Sequence, residues 1–279
     1  MDKIVIVGGY EFLSFHLCRQ FLEQGYLVEC INFENNTDLF YEEKQFSVGR
    51  NSNLVEHTLR EWMEIGIACE QDSLIIITIF DLFLKKNAEM LIAQLEGVAN
   101  ELPKTERFNP AKVVFLQPLY QQIDNPNSLG AIHEKLVKCV TDKGIPHCTI
   151  SLPTLYGPWQ PVEFSFQQAI YNDLKNCDEF ALNPKEWCYD AIYIDDAVTE
   201  LFRLINDEKL ETCTFKNRIE DEWMNCANYL GINSIPCSLT LVKDGTRAND
   251  VYKEICGTVD CQQGLLIQKE HLIRFLAGM

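Results

Sequence analysis

The sequence predicts an α/β protein: a doubly wound parallel sheet with a smaller C-terminal α/β region. Three observations lead there. Short β-branched runs alternate with helical patterns through the first half of the chain. No Pro/Gly/Ser-rich linker, repeat or low-complexity tract interrupts it. A hydrophobic share of 47% in 279 residues is ample for a large buried core.

The predicted strands are KIVIV (3–7), LVECI (27–31), QFSV (45–48), LIIIT (74–78), KVVFL (112–116) and HCTISL (147–152). Between the first two, Leu13, Leu17 and Phe21 recur every fourth position and Gly25 follows, which predicts an amphipathic helix with a glycine stop. Helices are also predicted at 88–102 and 131–143, each with apolar residues on more than one face. After YGP at 156–158 the regular alternation ends, and helical patterns run at 163–175, 195–206, 219–229 and 247–256. The division expected is 1–157 for the first domain, with a returning segment near 190–206, and 158–279 for the smaller region.

Composition excludes several classes of function. With 41 acidic against 24 basic residues the formal charge is -17, so the average surface repels nucleic-acid phosphates and anionic lipids. No apolar run approaches the ~18 residues of a membrane span, and Asp2 and the early glycines of MDKIVIVGG spoil a signal-peptide reading. The expectation is a cytoplasmic protein with neither nucleic-acid nor membrane partners. The 12 cysteines are scattered, several inside apolar runs (Cys18, Cys30, Cys139, Cys148), and no CxxC pair occurs. They read as reduced core residues. The closest pair, Cys256 and Cys261, lacks zinc-ligand spacing and the 5 histidines are dispersed, so no metal is expected.

The strongest local signal is the strand-to-helix turn VIVGGYEFLSFHL (5–17), a buried strand feeding a helix, which is the context of a phosphate-binding turn. It resembles the TGGxGFIGSHL fingerprint of the extended short-chain dehydrogenases and sugar-nucleotide epimerases, keeping Gly8, Gly9, Phe12, Leu13 and His16 in register. SLPTLYGPWQP (151–161) and YDAIYIDDAV (189–198) resemble two further segments of that family, in the same order. The resemblance implies a Rossmann-type domain that binds NAD or NADP, a smaller region that closes over a nucleotide-sugar or other small molecule, and a homodimer joined through the helices at 88–102 and 131–143.

The departures fall on the residues that do the work. The family spaces three glycines as GxxGxxG, and here those positions are Gly8, Glu11 and Ser14. Serine is small enough for close packing; Glu11 puts a charge where amide dipoles should meet a diphosphate. Two like charges about 5 Å apart, at an effective dielectric near 20, repel by roughly 3 kcal/mol, about a hundredfold in affinity. The carboxylate either fills the anion site itself, capping its own helix, or swings away to admit cofactor. At the end of the second strand, where the family has a ribose-gripping carboxylate, stands Asn32, and the adenine-contacting position after the predicted third strand is Arg50.

The catalytic set implied by the resemblance is a Ser or Thr after the fifth strand and a YxxxK pair opening the next helix. The hydroxyl position reads Gln117-Pro118, the tyrosine position Pro126 and the lysine position Gly130. Tyr120 and Lys135 are the remaining candidates near that cleft, and a formal YxxxK at Tyr171–Lys175 lies beyond it. Without a lysine at the helix start, Tyr120 keeps a pKa near 10 and is a poor base. Asp190, Asp195 and Asp196 read as capping residues of the returning strand and helix, with Asp195 at the N-cap. Three functions remain open: a catalytically impaired relative acting in binding, regulation or assembly; a working NAD(P)-dependent epimerase, dehydratase or reductase built on unorthodox residues; and an enzyme of another class using the cleft.

Overall fold

The computed structural model describes residues 3–67, 69, 71–86, 88–119, 129–177, 180–207, 211–232 and 251–278. The first half runs β1 (Lys3–Val7), α1 (Phe12–Glu23), β2 (Leu27–Asn32), α2 (Tyr41–Val48), β3 (Leu54–Thr58), α3 (Leu59–Glu64), β4 (Ser73–Thr78), α4 (Phe80–Leu84), α5 (Glu89–Glu101), β5 (Lys112–Pro118), α6 (Leu129–Asp142) and β6 (His147–Leu152). Then follow β7 (Thr154–Tyr156), α7 (Ser165–Lys175), β8 (Ala191–Tyr193), α8 (Ile194–Ile205), β9 (Cys213–Asn217), α9 (Glu222–Tyr229), β10 (Tyr252–Ile255) and α10 (Cys261–Gly278).

Among the described residues, eight strands form one sheet in the order β10-β9-β6-β5-β4-β1-β2-β3, and every pairing in it is parallel. β7 and β8 make a separate two-stranded parallel ribbon. Alternation along β1 shows why both faces need helices. Ile4 and Ile6 enter one core with residues of α1, α8 and α10, while Val5 and Val7 enter the other with α3, α5 and α6. α1 is sandwiched between the sheet and α8, so Phe12 to Cys18 are all buried. It stops where expected: Gly25 takes a φ of +84°, and the Tyr26 amide reaches back to the Phe21 carbonyl at 3.1 Å. The result is the doubly wound α/β architecture that the sequence predicts.

Two expected elements are corrected. QFSV (45–48) is not a strand but the second half of α2. Asp38 Oδ1 accepts the Phe40 amide at 2.9 Å, Glu42 and Glu43 suit the helix start, and Phe46 is 82% exposed, a position no buried strand offers. The true third strand is β3, an edge strand with Val55 and Glu56 in solvent, which gave no apolar run to read. Residues 252–255 of the predicted helix 247–256 are β10, paired in register with β9; 247–250 lie outside the described residues. In the α/β region expected after residue 157, β9 and β10 extend the main sheet beyond β6. The buried face of the long helix α10 carries Gly264, Gln268 and His271 among its leucines, so no continuous apolar stripe marks it in the sequence.

β3 leads directly into α3 through a complete capping box. Thr58 Oγ1 accepts the Glu61 amide at 3.1 Å, and Glu61 Oε2 accepts the Thr58 amide at 2.7 Å. Thr58→Ala is expected to lower stability by about 1 kcal/mol, read as a shift in the urea midpoint at unchanged slope.

Candidate functional site

The strand order reverses between β1 and β4, and such a switch point opens a crevice at the carboxyl ends of the strands. Gly8 turns the chain there with a φ of +82°, its amide on the Ile31 carbonyl at 2.8 Å. A Cβ on Gly9 would stand 2.7 Å from Cys30 Sγ, so that glycine is required for the turn to lie against β2. A Cβ on Gly8 would stand 2.9 Å from the Phe33 ring and 3.4 Å from Glu11 Cγ. The Cα of Gly8 is therefore closely packed by the Phe33 ring and the Glu11 side chain. Phe33 was not singled out in the sequence, and only its place just after β2 hinted at it.

The first turn of α1 is served by a carboxylate, though not the expected one. Asp81, on α4 after β4, accepts the Leu13 amide at Oδ2 (3.1 Å), and Ser14 Oγ donates to Thr78 Oγ1 (2.8 Å). Glu11 holds the N-cap position of α1 but makes no side-chain cap bond, which corrects the self-capping expectation. Its buried carboxylate instead forms an ion pair with Lys85 and accepts Asn36 Nδ2 at 2.9 Å. Beside it, the fully buried Lys44 reaches Asp38 Oδ2 at 2.6 Å and the Tyr10 carbonyl at 3.0 Å. The loop 33–40 is thus tied to Glu11 at the glycine turn by Asn36, and to Lys44 of α2 by Asp38. Burial alone would lower the Lys85 pKa, yet the Glu11 and Asp38 carboxylates hold it above the ordinary lysine value.

Around this turn the sequence-predicted residues divide. Gly8, Gly9, Glu11, Phe12, Leu13 and Asn32 come together; Asn32 is buried at the end of β2, its Oδ1 3.1 Å from where a Gly9 Cβ would stand. Arg50 does not join them. It precedes β3 and lines a small cavity with Arg19, Glu23 and Ser47 at the amino ends of the strands, away from the crevice. The position following the true third strand begins at Thr58, whose hydroxyl is committed to the α3 cap.

The corner where the sequence resemblance places proton-transfer groups is built differently. Gln117, at the hydroxyl position near the end of β5, donates to Ser151 Oγ at 2.9 Å. Gly130 lies in the first turn of α6. Tyr120 and Pro126 lie outside the described residues. Lys135 is exposed on α6 and hydrogen-bonds Asn100 of α5, on the α3, α5 and α6 face of the sheet. Tyr171 and Lys175 sit on α7, the ammonium 5.9 Å from the ring centre, so their pairing is a stacking contact.

The three aspartates tether rather than cap. Asp190 accepts the Ala191 and Asn217 amides at 2.8 and 2.7 Å, and Asp196 accepts the Thr258 hydroxyl at 2.6 Å. Asp195 is not an N-cap: that position of α8 is Tyr193, and Asp195 faces His16 Nδ1 at 3.5 Å. Among the described residues, no helix is long and apolar enough to cross a membrane, and no group of three or more His, Cys, Asp or Glu could hold a metal.

A parallel sheet in the order 3-2-1-4-5-6, with a glycine turn at its switch point, is the doubly wound arrangement of dinucleotide-binding folds. No family model and no curated protein matches the chain, but solved structures do, over almost their full length. UDP-glucuronic acid 4-epimerase from Bacillus cereus in complex with NAD is 13% identical, with 99% of this chain and 98% of that one covered and a TM-score of 0.67. UDP-glucose 4-epimerase from Thermotoga maritima with UDP-glucose is 16% identical, covering 98% and 99%, TM-score 0.64. dTDP-glucose 4,6-dehydratase from Bacillus anthracis in complex with NAD is 14% identical, covering 98% and 97%, TM-score 0.62. At these identities the likeness is one of fold.

Proposed function

We propose that this chain is a divergent, catalytically impaired relative of the NAD(P)-dependent epimerases and dehydratases, one that keeps their scaffold and acts by binding or regulation. One observation carries the reading: the carboxylate of Glu11 is buried at the glycine turn and paired with Lys85, while Asp81 takes the α1 amide. A diphosphate entering here meets two carboxylates in place of free amides, and must break a buried ion pair to reach them. Gln117 and Gly130 at the catalytic positions supply neither a hydroxyl nor an ammonium. Assembly as a homodimer through α5 and α6, and a boundary near residue 157, belong to the same proposal.

Titration with NAD, NADH, NADP and NADPH by calorimetry and thermal shift tests it. A ligand present at 100 times its dissociation constant raises stability by about 2.7 kcal/mol, and no such shift is expected from any of the four. Binding of one of them to the wild-type chain more tightly than about 100 μM, roughly 5.5 kcal/mol of affinity, would restore the reading of a working oxidoreductase or epimerase.

A further inference from the structure

Three carboxylates and two lysines are enclosed around the first turn of α1. Glu11, Asp81 and Lys44 are at most 1% exposed, Lys85 is 6% exposed, and the Asp38 side chain is wholly buried. Lys85 neutralises Glu11, and Lys44 neutralises Asp38. Asp81 has no cation of its own: Oδ2 takes the Leu13 amide, and the buried Oδ1 has no hydrogen-bond partner among the described residues. Fully ionised, the cluster would hold one negative charge more than its lysines balance. An uncompensated charge in so enclosed a place is strongly unfavourable, and a proton on the unpartnered oxygen removes it.

We infer that the closed form of this cluster holds one proton on Asp81, making the cover formed by loop 33–40 and the first turn of α1 a proton-linked latch that loosens as the pH rises. The inference rests on the reading of the crevice as closed over by the chain's own side chains. The groups facing Asp81 come from each neighbouring element: Glu11 and the Leu13 amide from α1, Lys85 from the end of α4, and Lys44 from α2. Burial first, and the Glu11 carboxylate second, push the Asp81 carboxyl up to about 7, against the opposing pull of Lys85, the Leu13 amide and Lys44.

The direction of the effect follows from linkage. When the cover opens, Asp81 returns to the ordinary aspartate value of about 3.9. The closed form therefore binds more protons than the open form between about pH 4 and 7. Closure is strongest below that window, weakens about tenfold per pH unit across it, and is level above it. Amide hydrogen exchange of residues 12–15 in the full chain, corrected for intrinsic exchange between pH 5 and 8, reads this directly. Protection is expected to fall about tenfold per unit up to pH 7 and then level, and in Asp81→Asn that dependence disappears. Glu11→Gln removes the neighbouring anion and keeps its shape, so the bend in its profile moves to lower pH. A flat wild-type profile, or an Asp81→Asn profile parallel to the wild type, would overturn the inference. If Asp81→Asn does not fold, an unmoved bend in Glu11→Gln overturns it equally. Dinucleotide binding by the wild type would instead count against the functional reading alone, because the exchange profile is measured without ligand.

Discussion

Lys85→Ala is expected to destabilise the fold by about 3–5 kcal/mol, because it strands the Glu11 carboxylate in a site with almost no access to water. The penalty comes from the partner left behind. Asn36 still donates one hydrogen bond to Glu11, which is far less than a buried anion needs. The same reasoning predicts that Glu11→Gln combined with Lys85→Met recovers most of the loss, since the pair then carries no charge and keeps its volume. Urea denaturation of the wild type, Lys85→Ala, Glu11→Gln, Lys85→Met and the double variant checks this. A Lys85→Ala protein within 1 kcal/mol of the wild type, about the worth of an exposed ion pair, would mean that Glu11 reaches water and the crevice is open.

Gly157→Ala is expected to be nearly as damaging, at about 2–5 kcal/mol. Gly157 holds a φ of +148°, and an added Cβ would lie 2.4 Å from Ile194 Cγ2 and 3.3 Å from Tyr193 Cε2. Strain in the backbone adds to overpacking at the start of α8, and neither can relax, because Ile194 is wholly buried. The next residues show what the turn is for. Trp159 and Pro158 pack the segment onto α1, with the Pro158 carbonyl 3.0 Å from His16 Nε2 and the indole 5.1 Å from the Phe15 ring. A fall in Tm on the order of 10 °C is expected; a variant that melts with the wild type would show that the YGP turn is free to rearrange.

The legible parts of this chain were those in which the signal is local. β1, β4 and β6 are runs whose residues are buried or alternate in burial, and α1 has its glycine stop, so period and punctuation suffice to place them. α2 was misread because QFSV has strand-like composition, while the carboxylate that starts the helix, Asp38, stands outside the window. β3, β9 and β10 carry charged or polar residues at a sheet edge or on short strands, so no apolar pattern announced them. Arg50 was misplaced as a direct consequence of the α2 error, since the missing β3 moved the crevice by a whole element.

By itself the sequence determined the α/β class, the place along the chain of most of the central strands, the glycine turn after β1 and the departures from the resembled motifs at Glu11, Gln117 and Gly130. These are properties of residue type and of neighbours along the chain. Only the tertiary structure decided where the Glu11 carboxylate goes. Its partners Lys85 and Asn36, and the Asp81 that takes its place at the α1 amide, come from α4 and from the loop after β2, brought together by the reversal of strand order between β1 and β4. Side-chain direction in a buried charged cluster is set by which opposite charges the fold delivers within reach, and that delivery has no trace in local spacing.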